Sequence, residues 1–352
     1  MRTSYISTAT LLNTPRNNMS RIQADLDKAT SESARGRYAD VGLELGYRSG
    51  LTLDLRQEVS NLHAQKERNS LTSIRLDSTY QALGRMRTDG EAFLALTVPG
   101  KLTDTSGSVV AQTAATKLTT LIGEMNAAAS GQYLFGGINT AQRPMADYEG
   151  TPPSPAKTAF LNAFQAEFGF PRGQQPDAGN ITAAQMQHFL SDNGPYAALF
   201  ADPQWGATWS SASNVDIRSE ITRDEVVTTS VNANAQALRH LAMMYTLGSD
   251  IGLAGLSPAA QSVVYDTMRT LANRATLGVK DIQADLGVVQ ARLATVETAR
   301  AAQENILSNG FGSLENVDLE EVATRSQNLE ASLKVSYSLT SRVSRLSLMD
   351  YV

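Results

Sequence analysis

Residues 257–310, SPAAQSVVYDTMRTLANRATLGVKDIQADLGVVQARLATVETARAAQENILSNG, decide the fold. Ser257-Pro258 opens a helix, with a capping hydroxyl and then a proline where a helix has no use for its N–H. From Met268 onward, Leu271, Ala275, Gly278 and Ile282 recur at alternating steps of three and four. One extra residue precedes Leu286, after which Val289, Leu293 and Val296 resume the pattern; Arg300 then ends the apolar run. Asn309-Gly310 predicts the stop. A stripe this narrow finds cover only against another helix.

The matching stripes lie at the other end of the chain. Leu12, Met19, Ile22, Leu26 and Ala29 follow steps of seven, three, four and three, and Pro15 either kinks that helix or marks its first turn. Four glycines between Gly36 and Gly50 predict a loop or broken helix. A long helix follows from Leu51 to Thr97, roughly 70 Å at 1.5 Å per residue, ended by Pro99-Gly100. Leu55, Val59 and Leu62 share a heptad phase with Leu76, Tyr80 and Leu83, and polar Lys66, Asn69 and Ser73 fill the seam between. Such residues weaken a coiled coil but can fix its register. Ser106–Ser130 predicts a returning helix. Asp318 and Glu321 open a last helix in capping-box fashion, carrying Val322, Leu329, Leu333, Val343 and Leu346.

Between these blocks the character changes. Residues 141–156 hold Pro144, Pro152, Pro153 and Pro155 and read as loop. Short helices are expected at Thr158–Phe168 and Ala183–Ser191, a strand pair at Val215–Ile217 and Val226–Thr229, and a helix at Asn234–Leu247. The fold class is mainly α: a discontinuous long-helix bundle or coiled coil formed by both termini, with a smaller α+β central insertion. The expected division is 1–45 as an N-terminal helix, 46–140 plus 241–312 as the bundle core, 141–240 as the insertion, and 313–352 as a C-terminal helix pairing with the first.

Bulk properties narrow the function. A net charge of −5 argues against non-specific nucleic-acid binding, and no stretch approaches the ~20 apolar residues of a membrane span. Aromatics are only 6% of the chain, which suits helix–helix packing. The start, Met1-Arg2-Thr3-Ser4-Tyr5-Ile6, lacks a secretory signal's apolar core. Without cysteine there is no disulfide framework, thiolate or Cys-based metal site.

Catalytic material is thin. His63, His188 and His240 fall in different predicted elements, each read as a helix-surface residue, and no His pair has metal-binding spacing. Gly131–Gly137 lacks the Lys-Ser/Thr of a phosphate loop. Glu315, Asp318, Glu320 and Glu321 read as helix-dipole partners at a helix start. Trp205 and Trp209 mark either a small local core, the favoured reading, or an exposed patch. No catalytic residue, cofactor or metal is expected, so the chain reads as a non-enzyme.

Gly131-Gln132-Tyr133-Leu134-Phe135-Gly136-Gly137, followed by Asn139-Thr140, resembles the segment closing the N-terminal helical block of flagellar hook–filament junction proteins of the FlgL type. The tail from Asn316-Val317-Asp318 through Leu333 to Ser347-Leu348-Met349-Asp350-Tyr351 is similar to the last helix of flagellin-like subunits. Together the similar regions cover roughly two thirds of the chain. Ala34–Gly42 departs from flagellins in lacking their usual aspartate pair, and the Tyr133–Gly137 segment favours the junction protein over flagellin.

The resemblance implies a structural subunit whose terminal helices nest together and line the inner tube of the assembly. Implied partners are an adjacent hook-associated junction protein, flagellin, further copies in a helical ring, and an export chaperone at the C-terminal helix. Export would run through the flagellar type III apparatus without a cleaved signal. The expected interface is Leu12, Met19, Ile22 and Leu26 facing Leu329, Leu333, Val343 and Leu346, with both ends ordering on assembly. Alternatives are flagellin itself or a cytosolic coiled-coil adaptor.

Overall fold

The computed structural model describes residues 8–97, 106–173 and 177–349; side chains of 8–12, 106 and 343–349 lie outside that description, so Leu12, Val343 and Leu346 have only a helical backbone position. In chain order, α1 (Thr8–Arg35) leads through α2 (Val41–Leu45) and a 3₁₀ turn to α3 (Ser49–Leu96), then α4 (Ser106–Met125). Strands β1 (Ala128–Ala129) and β2 (Gln132–Tyr133) form a hairpin. Next come α5 (Pro155–Phe168), α6 (Ala183–Leu190), α7 (Pro195–Ala198) and α8 (Gln204–Thr208). The antiparallel pair β3 (Arg218–Thr222) and β4 (Glu225–Thr228) precedes α9 (Gln236–Asp250), α10 (Pro258–Glu315) and α11 (Leu319–Met349).

The helix starts have local causes. Ser257 Oγ accepts the Ala260 amide (3.3 Å), and Asp318 Oδ1 accepts the Glu320 amide (2.8 Å). Ser154 caps α5 with Pro155 behind it, and Thr182 with Gln185 forms a complete capping box on α6.

Four expectations are corrected. The helix begun at Ser106 ends at Met125, because the chain turns into the β1–β2 hairpin. Ser130 and Gly131 both have positive φ there (50° and 78°), the twist a two-residue hairpin loop needs. Asn309-Gly310 does not stop α10. An ideal Cβ on Gly310 would sit 3.7 Å from Leu55 Cδ1, so a packed neighbour holds the helix through two glycines to Glu315. Their cost of about 1 kcal/mol each is a preference that packing overrides. The first strand lies at Arg218–Thr222, later than Val215–Ile217, though the Arg223-Asp224 turn is where expected. Side chains tie down the earlier segment: Ser230 Oγ accepts the Ile217 amide, and Asp216 accepts from Asn232. In α3, Tyr80 is 40% exposed and Thr79 is fully buried in its place, while Lys66 faces out.

The chain packs as two units: residues 1–64 with 299–352 (the terminal unit), and residues 65–298 (the central unit). The division falls inside α3 and α10. Within the central unit these helices run antiparallel, fixed by Asn69–Glu297 (2.8 Å), Asp77–Gln290 (2.6 Å) and Tyr80 O–Gln283 (3.2 Å). Buried Asn69 also donates to the Ile221 carbonyl, which pins the register that a polar seam position can set.

The core of the central unit centres on α9, which is buried nearly all round. Small residues let its neighbours close in: a Cβ on Gly248 would lie 2.7 Å from Ala114 Cβ, and one on Gly278 2.8 Å from Ala237 Cβ. A chain of rings from Phe164 through Phe189, Tyr196, Phe200 and Trp209 to Tyr148 fills the rest. Trp205 is fully buried, with its indole N–H on Asn234 Oδ1 (2.8 Å). Both tryptophans therefore belong to a local core.

Candidate assembly surface

In the terminal unit, α1 packs against α11. Gln23 Nε2 donates to the Tyr337 hydroxyl (2.9 Å), and Arg325 forms an ion pair with Glu32, so the two helices run antiparallel. That register sets Leu26 level with Leu333 and Ala29 level with Leu329. Met19, Ile22, Leu26, Leu329 and Leu333 are each only half-buried; Ala29 and Val322 are buried. Leu12, Val343 and Leu346 continue the same helices, with side chains outside the described residues.

Two buried carboxylates organise this unit, and neither was foreseen. Glu32 is 1% exposed; one oxygen meets Arg325 and the other accepts the Ala39 amide (3.1 Å). Glu315, expected at a helix start, instead closes α10 and is 3% exposed. Arg56 grips it with two nitrogens, Nε at 2.9 Å, and lies 5.3 Å from the centre of the Phe311 ring. Hydrogen bonding to Glu315 raises the Arg56 pKa against the opposing effect of burial. A guanidinium gripping a carboxylate with two nitrogens fixes direction as well as distance.

Between the carboxylates, the two inter-helix links pair with each other. The Tyr38 amide donates to the Glu315 carbonyl (3.0 Å), and the Val317 amide donates to the Gly36 carbonyl (3.1 Å). Gly36, at φ 69°, makes the turn that aims this carbonyl. The sequence did carry a hint. Glu32 follows Leu26 and Ala29 at seam spacing, and Arg325 falls between Val322 and Leu329 in the same way. Opposite charges in two seams that are read as partners predict a register-setting pair.

Each of the three histidines has a separate partner. His63 faces Glu304 (3.2 Å), His188 faces Glu167 (2.7 Å), and His240 bonds Gln236 (3.2 Å). Among the described residues, no group of three His, Asp or Glu is arranged to hold a metal ion, and no helix is long and apolar enough to cross a membrane.

What distinguishes the terminal unit is surface it leaves uncovered. Among the described residues its fully buried apolar side chains are Ala29, Leu62 and Val322. Leu43, Tyr47, Leu53, Ile306, Val335 and Leu339 are all more than half exposed. Paired helices with so little enclosed core and so much exposed apolar side chain define a subunit made for assembly.

Comparison with known proteins agrees. Residues 6–140 match the bacterial flagellin N-terminal helical region, and residues 270–352 match the bacterial flagellin C-terminal helical region, together more than half of the chain. Among solved structures, a Vibrio parahaemolyticus protein given as a flagellar hook-associated protein is similar in fold, with TM-score 0.51 and 12% identity, over 76% of this chain and 97% of that one. No curated protein sequence matches significantly. The chain belongs to the flagellin-like superfamily. It is a structural component of the bacterial flagellum, from a family whose members work by assembly rather than catalysis.

Proposed function

We propose that this chain is the hook–filament junction subunit, contacting a neighbouring hook-associated junction protein on one side and flagellin on the other. The reading rests chiefly on the half-covered α1–α11 seam, which leaves apolar side chains for other subunits to complete. Repeated heterologous contacts of this kind build a tube rather than a closed dimer. The interface would comprise Leu12, Met19, Ile22, Leu26, Leu329, Leu333, Val343 and Leu346. Export would use the flagellar type III route without signal cleavage, with a chaperone holding α11 before assembly.

The Tyr133–Gly137 segment supports the junction position over the filament. Leu134 and Phe135 are buried, and a Cβ on Gly137 would meet the Val215 carbonyl oxygen at 2.6 Å, so this segment locks the hairpin against the chain beyond α8. Flagellin remains the second reading, favoured by the family descriptions themselves. Gold labelling of isolated hook-plus-filament separates the two: a thin band at the boundary supports the junction, and label along the whole filament supports flagellin. In addition, Leu333→Asp should abolish filament attachment while leaving the central unit folded; normal motile filaments in that variant would refute the interface.

A further inference from the structure

The terminal unit carries two exposed patches of opposite charge that do not pair with each other among the described residues. The first is a groove of about 460 Å³ between the α1–α2 link and the first turns of α3. Three guanidiniums line it, Arg35, Arg37 and Arg56, against one carboxylate, Glu315, which Arg56 already occupies. Arg35 and Arg37 are exposed, and among the described residues neither forms an ion pair. Leu53, 68% exposed, forms an apolar wall.

The second patch is the first turn of α11. Leu319 is 54% exposed and is followed by Glu320 and Glu321. Both glutamates are exposed, and neither pairs with a cation among the described residues. Their backbone amides are already capped by Asp318, so the turn is rigid while its side chains remain uncommitted. Within one chain the patches are neighbours, yet the Gly36–Val317 and Tyr38–Glu315 backbone bonds hold the links in a register that forms no Arg35 or Arg37 pair with these glutamates.

We propose that the Arg35–Arg37 groove receives the Leu319-Glu320-Glu321 turn of a second copy of this chain. Complementary charge selects the partner and Leu319 meets Leu53, so each copy offers both a socket and a plug. The socket of one copy taking the plug of the next is a head-to-tail contact, which repeats from copy to copy into a ring or a helical tube. The inference deepens the assembly reading above and rests on it.

The chain has no cysteine, which makes disulfide trapping clean. Two full-length variants, Arg37→Cys and Glu320→Cys, would be mixed during assembly on flagella and oxidised. The expected product is a mixed dimer of the two variants, suppressed when the first also carries Arg35→Glu and recovered when the second also carries Glu321→Arg. Raising salt from about 0.1 M to about 1 M shortens the screening length from ~10 Å to ~3 Å and should lower the yield. Homodimers alone, or an adduct to a protein of different mass, would overturn the second copy as occupant. Gold labelling of the same flagella separates the two readings: boundary label without the mixed dimer sinks only this contact, whereas label elsewhere sinks the junction position itself.

Discussion

The two units of this chain share the long helices α3 and α10 and solve opposite problems. The central unit surrounds α9 on nearly all sides and fills the remaining space with an aromatic chain that includes Trp205 and Trp209. The terminal unit lays α1 along α11 and the start of α3 along the end of α10, with Met19, Ile22, Leu26, Leu329 and Leu333 half-covered. A helix pair has two contacting stripes and no third side, so it cannot enclose a core as helices packed around a central one can. What each such pair keeps is direction, set here by one buried carboxylate apiece, Glu32 between α1 and α11 and Glu315 between α10 and α3. The lesson is a division of labour: one unit encloses a core of its own, and the other leaves apolar side chains uncovered.

The largest contrast should be in hydrogen exchange. In dilute monomer, amides of residues 13–35 and 319–342 should exchange through local opening. Those of α9 and residues 260–298 should open only with global unfolding, a gap on the order of several kcal/mol. Equal protection in the two regions would break the comparison. On assembly, the first set should gain protection and the second should barely change.

Next is Trp205→Ala, which removes a fully buried ring that packs on Phe200 and Trp209. It should destabilise the central unit by about 3–5 kcal/mol in thermal or urea denaturation. The pairing of α1 with α11 should not respond directly. Arg325→Ala reverses this pattern by leaving Glu32 buried and unpaired. Because Arg325 itself is 43% exposed, the loss should be about 2 kcal/mol, less than the ~3–5 kcal/mol of a fully buried pair. It should be read as faster exchange in α1 with an unchanged central-unit Tm.

The smallest effect concerns pH. Burial, and then the Arg274 cation, lower the His240 pKa. The unfolded histidine titrates near about 6.5 and takes up a proton that the folded one resists. The resulting stabilisation is full above about pH 6.5 and declines as pH falls toward the lower folded value. His240→Asn should flatten that part of the central unit's stability curve; an unchanged slope would rule the histidine out as its source.

Some of this was legible from spacing alone. Met268, Leu271, Ala275, Leu286, Leu293 and Val296 hold a three-four rhythm, and a helix is the conformation that gathers them on one face. Ser257-Pro258 and Asp318 act within three residues of themselves, so the chain order contains everything their caps need. Trp205 and Trp209 read as a local core because two large apolar rings so close in sequence favour burial. The expected start of β3 failed for a different reason: β-branched residues at 215–217 show a preference, but Asp216 is claimed by Asn232, sixteen residues away.

Amino-acid order by itself determined the long helices, their starts, their apolar stripes and the need for those stripes to be covered by other helices. Tertiary structure alone decided that α10 runs through Gly310, that Asn69 and Glu297 set one register, and that Glu32 finds Arg325 across 293 positions. Helix formation is governed by neighbours three and four residues apart and is therefore written locally. A buried ion pair or a glycine held by a packed leucine depends on groups brought together only after the helices have docked, and no local pattern encodes the partner.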